Sequence, residues 1–293
     1  MNNDPECIPC CLRRVLHMSD RKTSDEWLHR KILAEGMQDL ARVDEVATPA
    51  ELVHGVARRT AKTLGVGDPY ADEKARWIEE TTANADLIRS VVQESADPFL
   101  AALRLSLAAN VLDCELRQDF LKRSSLKSLI RGFEKIPFAL DNVEDFRVAT
   151  QQAQRVLFIH DSAGELFFDR LLIELMEKPR EAVFSTVREV PILADATAED
   201  ACGVGLDEVA EVIDIGIDCL GVPMNACSQG FREHYGAADL VIVKGQAAYQ
   251  TLEGDDLRRE GVEKQIFFLL RVKCMVMARH FGASLGDAVL EVR

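Results

Sequence analysis

The run VLFIHDSAGELFFD at residues 156–169 decides the fold. Four apolar β-forming residues, Val156 to Ile159, end abruptly at His160, Asp161 and Ser162. Ala163 and Gly164 then turn the chain, and a helical pattern starts at Glu165. A strand, a turn and a helix in that order deliver a carboxylate to the C-terminal edge of a sheet, where open α/β folds receive their ligands.

The same grammar repeats through the second half. Short β-rich runs occur at 155–160, 182–187, 211–215, 239–243 and 265–272, with a final AVLEV at 288–292. Helical or irregular segments separate them, which predicts a Rossmann-like, mostly parallel sheet with helices on both faces. The first half reads differently. Ser24 followed by Asp25 and Glu26 predicts one helix start. Thr48, Pro49 and Glu51 predict another, with an N-cap, a proline at the first helical position and a capping-box glutamate. That helix should stop in Gly65–Pro69, and further helices are expected over 70–83, 85–95 and 98–112. No strand is expected before residue 150. The predicted organisation is a helical N-terminal portion over 1–145 and a Rossmann-like α/β domain over 146–293.

The chain has 293 residues, enough for a substantial core in one large domain or two moderate ones. Its 35 basic residues against 49 acidic ones leave a net charge of −14, which argues against nucleic acid and anionic membrane as partners. An anionic small substrate stays compatible, because local potential in a cleft can oppose the global sign. No apolar run approaches the roughly 20 residues of a membrane span. MNNDPECIPC lacks the pattern of a secretory signal. Eight dispersed cysteines in an acidic chain of this size favour reduced thiols, so a cytoplasmic location is expected.

Three strand ends carry polar clusters: His160-Asp161-Ser162, then Asp195 in VPILADATAED, then Lys244-Gly245-Gln246 after LVIV. Two carboxylates and an ammonium at sheet edges suit a hard divalent cation and an anionic oxygen ligand. Taken singly, each is as readily a helix cap or turn residue. Their coincidence at three strand ends favours a site.

These segments match a family. HDSAGELFFD, PILADATAEDA with GLDE at 205–208, and VIVKGQAAYQTL resemble the signature segments of the DUF89 family of metal-dependent damage-control phosphatases, also called ARMT1-like. ECIPCCLRR at 6–14, GVGDPY at 65–70, AANVLD at 108–113 and FFLLRVKCMVMARHFG at 267–282 agree with it, so the resemblance spans nearly the whole chain and is closest to the CxxC-containing subfamily. It implies a phosphatase acting on a small phosphorylated metabolite with a divalent metal (Mg, Mn, Co or Ni). The implied metal ligands are Asp161, Ser162 and Asp195. Asp161 and Lys244 are the implied catalytic pair, and Asn110, Asp113, Lys244 and Gly245 the implied substrate contacts. The attacking group is water or Asp161 itself. Three departures cluster at that site. Ser162 stands where the family has asparagine, Ala194 where an asparagine precedes the aspartate, and Ala247-Ala248 replaces Gly-Asn. An alanine offers neither ligand nor donor, so the alternative reading is an impaired or retargeted member that binds a phosphorylated ligand or protein partner, or works in a specialised pathway.

Cys7 and Cys10 form a CxxC, the candidate second metal site, for zinc. Structural zinc takes four protein ligands and no second CxxC exists, so a helix start with incidental thiols is the stronger expectation. His160 should point away from Asp161, because side chains alternate on a strand. Glu165 should serve only as a favourable charge at a helix N-terminus. Gly203-Val204-Gly205 is not a dinucleotide fingerprint: Glu208 occupies the place of the third glycine.

Overall fold

Helix caps organise the first part of the chain. The computed structural model describes residues 1–43, 47–112, 125–253 and 264–293. Cys7–Asp20 (α1), Glu26–Leu40 (α2) and Pro49–Leu64 (α3) come first. Thr48 and Glu51 close the expected capping box, with Thr48 Oγ1 accepting from Glu51 N at 3.3 Å and Glu51 Oε2 accepting from Thr48 N at 2.6 Å. Gly65, left-handed at φ 69°, ends α3. The cap of α2 is Asp25, one residue after the expected Ser24, because its carboxylate reaches both Trp27 N and Leu28 N. Ala71–Ala83 (α4), Ala85–Gln93 (α5), Pro98–Ala109 (α6) and Leu126–Gly132 (α7) follow.

The sheet has seven strands: Phe138–Asp141 (β1), Val156–Ile159 (β2), Val183–Val187 (β3), Glu211–Asp214 (β4), Leu240–Lys244 (β5), Gln265–Arg271 (β6) and Ala288–Val292 (β7), in the spatial order β1-β7-β6-β5-β2-β3-β4. All neighbours are parallel except β6 and β7. Strand β1 corrects the expectation of no strand before residue 150. It is a four-residue edge strand, too short for its alternation to register, and it pairs with β7 from the far end of the chain. Central strands β2, β3 and β5 are buried throughout, as parallel strands covered on both faces must be.

Strand alternation sorts the core into two layers. Val156, Phe158, Leu240 and Ile242 face one cluster, filled from α6, Val143–Gln152 (α8) and Leu166–Glu174 (α9). Leu157, Ile159, Val241 and Val243 face the other, filled from Gln229–Ala237 (α11), Gln246–Leu252 (α12) and Met275–Phe281 (α13). Helices therefore cover both faces. A third cluster joins α1 and α3 to Ile192, Leu193 and Ala194, so the N-terminal helices pack directly on the loop that carries Asp195. Lys74 of α4 adds a polar tie. It bridges Asp68 at 2.8 Å and Asp200 of Ala198–Gly203 (α10) at 2.9 Å. Burial opposes its charge, but the two carboxylates outweigh that and hold it above the ordinary lysine range. Among the described residues no helix is long and apolar enough to cross a membrane.

Candidate active site

The chain winds from β2 outward to β3 and β4, then returns to β5 on the other side of β2. The strand order thus reverses between β2 and β5, the place where doubly wound sheets bind ligands at their carboxyl ends. Asp161 follows β2 there and Gly245 follows β5. The two touch: a Cβ on Gly245 would lie 2.0 Å from Asp161 Oδ2, and Gly245 has φ 82°, so only glycine fits.

Asp195 reaches the same point by a turn. Leu193 takes a left-handed φ of 49°, a strain of about 1–2 kcal/mol for a residue with a Cβ. Asp195 N then donates to Ile192 O at 3.0 Å, and Ser162 and Asp195 form an isolated antiparallel bridge. Ala196 N donates to Asp161 O at 2.9 Å, and Ala163 N to Ala194 O at 2.9 Å. Asp161, Ser162 and Asp195 are therefore brought together by backbone bonds between two loops.

Behind this edge lies a sealed network of charges. Lys244 Nζ donates to Ser106 O at 2.9 Å, Ser106 Oγ at 2.7 Å and Asp169 Oδ1 at 2.8 Å, and lies 2.8 Å from Glu165 Oε2. His160 Nδ1 lies 2.9 Å from Asp169 Oδ2, and its ring stacks on Phe158. Asn110 donates through Nδ2 to Asp161 Oδ2 at 2.9 Å and Glu165 Oε1 at 2.8 Å, and accepts from Arg271 N at 3.0 Å. Burial opposes charge on Lys244, but Asp169 and Glu165 outweigh it and hold the ammonium above the ordinary lysine range. Burial likewise opposes ionisation of Asp169, yet Lys244 and His160 hold its carboxyl below the usual range.

Lys244 and Asn110, expected to touch substrate, are both fully enclosed, with their donors bound to protein groups. They hold Asp161 and Glu165 from behind. Glu165 is far more than a helix-end charge, since it links Ser162, Asn110 and Lys244. Ser162 Oγ donates to Glu165 Oε1 at 2.8 Å, so as a metal ligand it would offer only a neutral oxygen already oriented by that carboxylate. His160 does point away from the edge, into the Asp169 contact. Gly245 N is bound to Leu269 O, so its contribution is close approach to Asp161. Asp113 lies outside the described residues.

Two cations flank the carboxylates. Arg188, at the end of β3, donates through Nε to Asp195 Oδ2 at 2.8 Å and through Nη1 to Gly221 O at 2.6 Å. Lys273, just past β6, places Nζ 3.8 Å from Asp161 Oδ2. Neither was anticipated, although both follow strands of the same parallel block, and applying the strand-end rule to every strand would have found them. Asp169 and Glu165 are four apart and share a helical face, a second usable signal.

Asp161 and Asp195 supply two carboxylates. Among the described residues no group of three or more His, Cys, Asp or Glu side chains is placed to hold a metal ion. The described residues therefore offer no closed tetrahedral site. Two carboxylates do fit a hard divalent ion that keeps water and phosphate oxygens in its other positions. At the start of α1, burial pushes the Cys7 thiol up, and Cys11 up to about 12; Cys10 and Cys274 lie near enough to Cys7 to add to its shift.

An open sheet with a carboxylate pair at its switch point, flanked by an arginine and a lysine, defines a doubly wound α/β protein whose charged groups gather where such folds receive their ligands. The profile of the damage-control phosphatase ARMT1-like domain matches residues 4–289, and the chain belongs to that family, also known as DUF89. It is 32% identical to a damage-control phosphatase of Archaeoglobus fulgidus over 100% of this chain and 99% of the relative. It is 29% identical to a damage-control phosphatase of Pyrococcus horikoshii over 97% and 96% of the two chains. An uncharacterised protein of Methanocaldococcus jannaschii is 30% identical over 98% and 94%. The fold superposes on the crystal structure of a DUF89 family protein from Pyrococcus horikoshii with a TM-score of 0.84 at 28% identity, covering 99% and 98% of the chains.

Proposed function

We propose that this protein is a metal-dependent phosphomonoesterase acting on a small phosphorylated metabolite. The observation that carries the reading is the meeting of Asp161 and Asp195 at the switch point of the sheet, in a chain whose relatives include two named damage-control phosphatases. Asp161 and Asp195 would hold a divalent ion such as magnesium, manganese, cobalt or nickel, with the Ser162 oxygen beside them. When bound, such an ion polarises the phosphoryl group and offsets charge developing on its oxygens. Asn110 fixes the Asp161 carboxylate, and Lys244 fixes Asn110's other partner, Glu165. Losing such support typically costs 10–100-fold in metal affinity or activity.

The test is a hydrolysis screen over sugar phosphates, nucleotides and other small phosphate esters with each metal supplied. Turnover should fall by about 10²–10³ in Asp161→Ala and in Asp195→Ala. Turnover that survives both changes sinks the proposal. A second reading, ligand binding without turnover or a reaction redirected to a specialised pathway, is favoured by one observation: Ala194 and Ala248 carry neither ligand nor donor, and Ala248 is packed in the core. It predicts no turnover with any metal in the natural protein and turnover only after Ser162→Asn with Ala248→Asn.

A further inference from the structure

Three thiols gather where the first turn of α1 meets the start of α13, and the phosphatase reading leaves them unused. Cys7 opens α1, Cys10 stands one turn on, and Cys274 is the N-cap of α13. Arg279 of α13 ties the two elements together, donating to Glu6 at 2.8 Å and to Asp4 at 3.2 Å. Cys7 and Cys11 belong to the apolar cluster against which Ala247 of α12 and Val276 of α13 pack. All four cysteines are free thiols. Among the described residues no group of three or more His, Cys, Asp or Glu is placed to hold a metal ion, which leaves the pair chemistry of the CxxC itself.

Residues three apart on a helix hold their Cβ atoms about 5–6 Å from each other, and a disulfide needs about 3.5–4.5 Å. The first turn of α1 must therefore tighten slightly to join Cys7 to Cys10, and little resists it. Pro9 has no N–H to bond, Glu6 supplies no side-chain cap, and Cys10 N reaches Glu6 O only at 3.4 Å. We propose that Cys7 and Cys10 form a reversible disulfide site, oxidised by exchange with a small-molecule disulfide. Cys10 is the partly exposed thiol and attacks first, while Cys7 is buried and resolves. The Cys10 thiolate attacks one sulfur of the small disulfide, forming a mixed disulfide and releasing one thiolate. Cys7 then gives up its proton and attacks the Cys10 sulfur, closing the protein disulfide and releasing the second thiolate. The two released thiolates take up the two protons, so the protein loses two electrons and the small disulfide becomes two thiols. Burial pushes the Cys7 thiol up, which makes closure the slower step at neutral pH. Cys11 does not compete, because it is 1% exposed and burial pushes its thiol up to about 12. The inference goes beyond the phosphatase reading and does not depend on it.

The experiment exposes the folded full chain to oxidised glutathione, quenches with acid, alkylates the remaining thiols after unfolding, and weighs the tryptic peptide of residues 1–13. That peptide carries Cys7, Cys10 and Cys11. In the natural protein it should lose two hydrogens and take one alkyl group in place of three, and dithiothreitol should restore all three. Cys7→Ser should stop at a glutathione adduct on Cys10, and Cys10→Ser should leave both remaining thiols open to alkylation. Cys11→Ser and Cys274→Ser should still close the pair. A thermal melt checks that each variant is folded, and Cys10→Ser, at a partly exposed position, keeps the test open if Cys7→Ser does not fold. Three alkylated thiols at every glutathione ratio overturn the proposal. So does a lasting glutathione adduct on Cys10 in the natural protein, or a disulfide that includes Cys11 or Cys274.

Discussion

Two groups of charges occupy the carboxyl ends of the same strands and do different work. Lys244, Glu165 and Asp169 have side chains with 0% exposure, and Asn110 and Ser106 complete their bonds. Asp161 and Lys273 keep side-chain exposures of 11% and 10%. The inner group has every charge met by protein at hydrogen-bond distance, so exchanging a partner would strand a buried ion. The outer group contains one pair at 2.8 Å, Arg188 with Asp195, and one at 3.8 Å, Lys273 with Asp161. Enclosure, more than residue type, separates the two lysines: Lys244 is sealed at 0% side-chain exposure and Lys273 keeps 10%.

The sharpest way to break this comparison is to remove each lysine in turn. Lys244→Met should lower unfolding free energy by about 3–5 kcal/mol in urea titrations, because it leaves Glu165 and Asp169 uncompensated. Lys273→Met should cost less than Lys244→Met, because the Lys273 side chain keeps 10% exposure where that of Lys244 has none. Equal costs would erase the distinction. Ser106→Ala comes next, at about 1–3 kcal/mol, since Ser106 Oγ serves both Asp169 and Lys244 and its loss leaves buried groups short of a partner.

The pH dependence of stability tests the inner group without mutating its centre. The Asp169 carboxyl is held below its ordinary value, so its stabilisation is complete above about pH 4 and is lost as pH falls through the lower folded value. The Lys244 ammonium is held above its ordinary value, so its stabilisation is complete below about pH 10 and is lost as pH rises through the higher folded value. Relative to Asp169→Asn, the natural protein should therefore keep its advantage across neutral pH and lose it only at the acid and strongly alkaline extremes. An advantage that fades near neutral pH would contradict the ion pairing. A change remote from both groups serves as the reference: Thr48→Ala should cost about 1 kcal/mol through the α3 cap in the same urea titrations.

Much of this architecture was legible beforehand because its signals are local. The apolar runs of β2, β3 and β5 each end in a turn residue or helix start, and the Thr48-Pro49-Glu51 cap is a three-residue statement. Strand β1 escaped because Phe138–Asp141 has only four residues and is specified by β7, about 150 residues later in the chain. Glu165 escaped for a different reason. Its position beside a helix N-terminus already has an ordinary explanation, and nothing nearby reveals that Lys244, from a strand 75 residues onward from Asp169, will close over it.

By itself, the sequence determined that Asp161 would stand at a sheet edge, that helices would precede a parallel sheet, and which family the chain belongs to. Each follows from short-range periodicity, capping chemistry or long matched segments. The tertiary structure alone decided which cation serves which carboxylate. Lys244 and Lys273 both follow strands, and their numbers carry no information about enclosure. Burial is a property of what packs above a residue, and here α6 and α9 seal one lysine while the other stays at the rim beside Asp161.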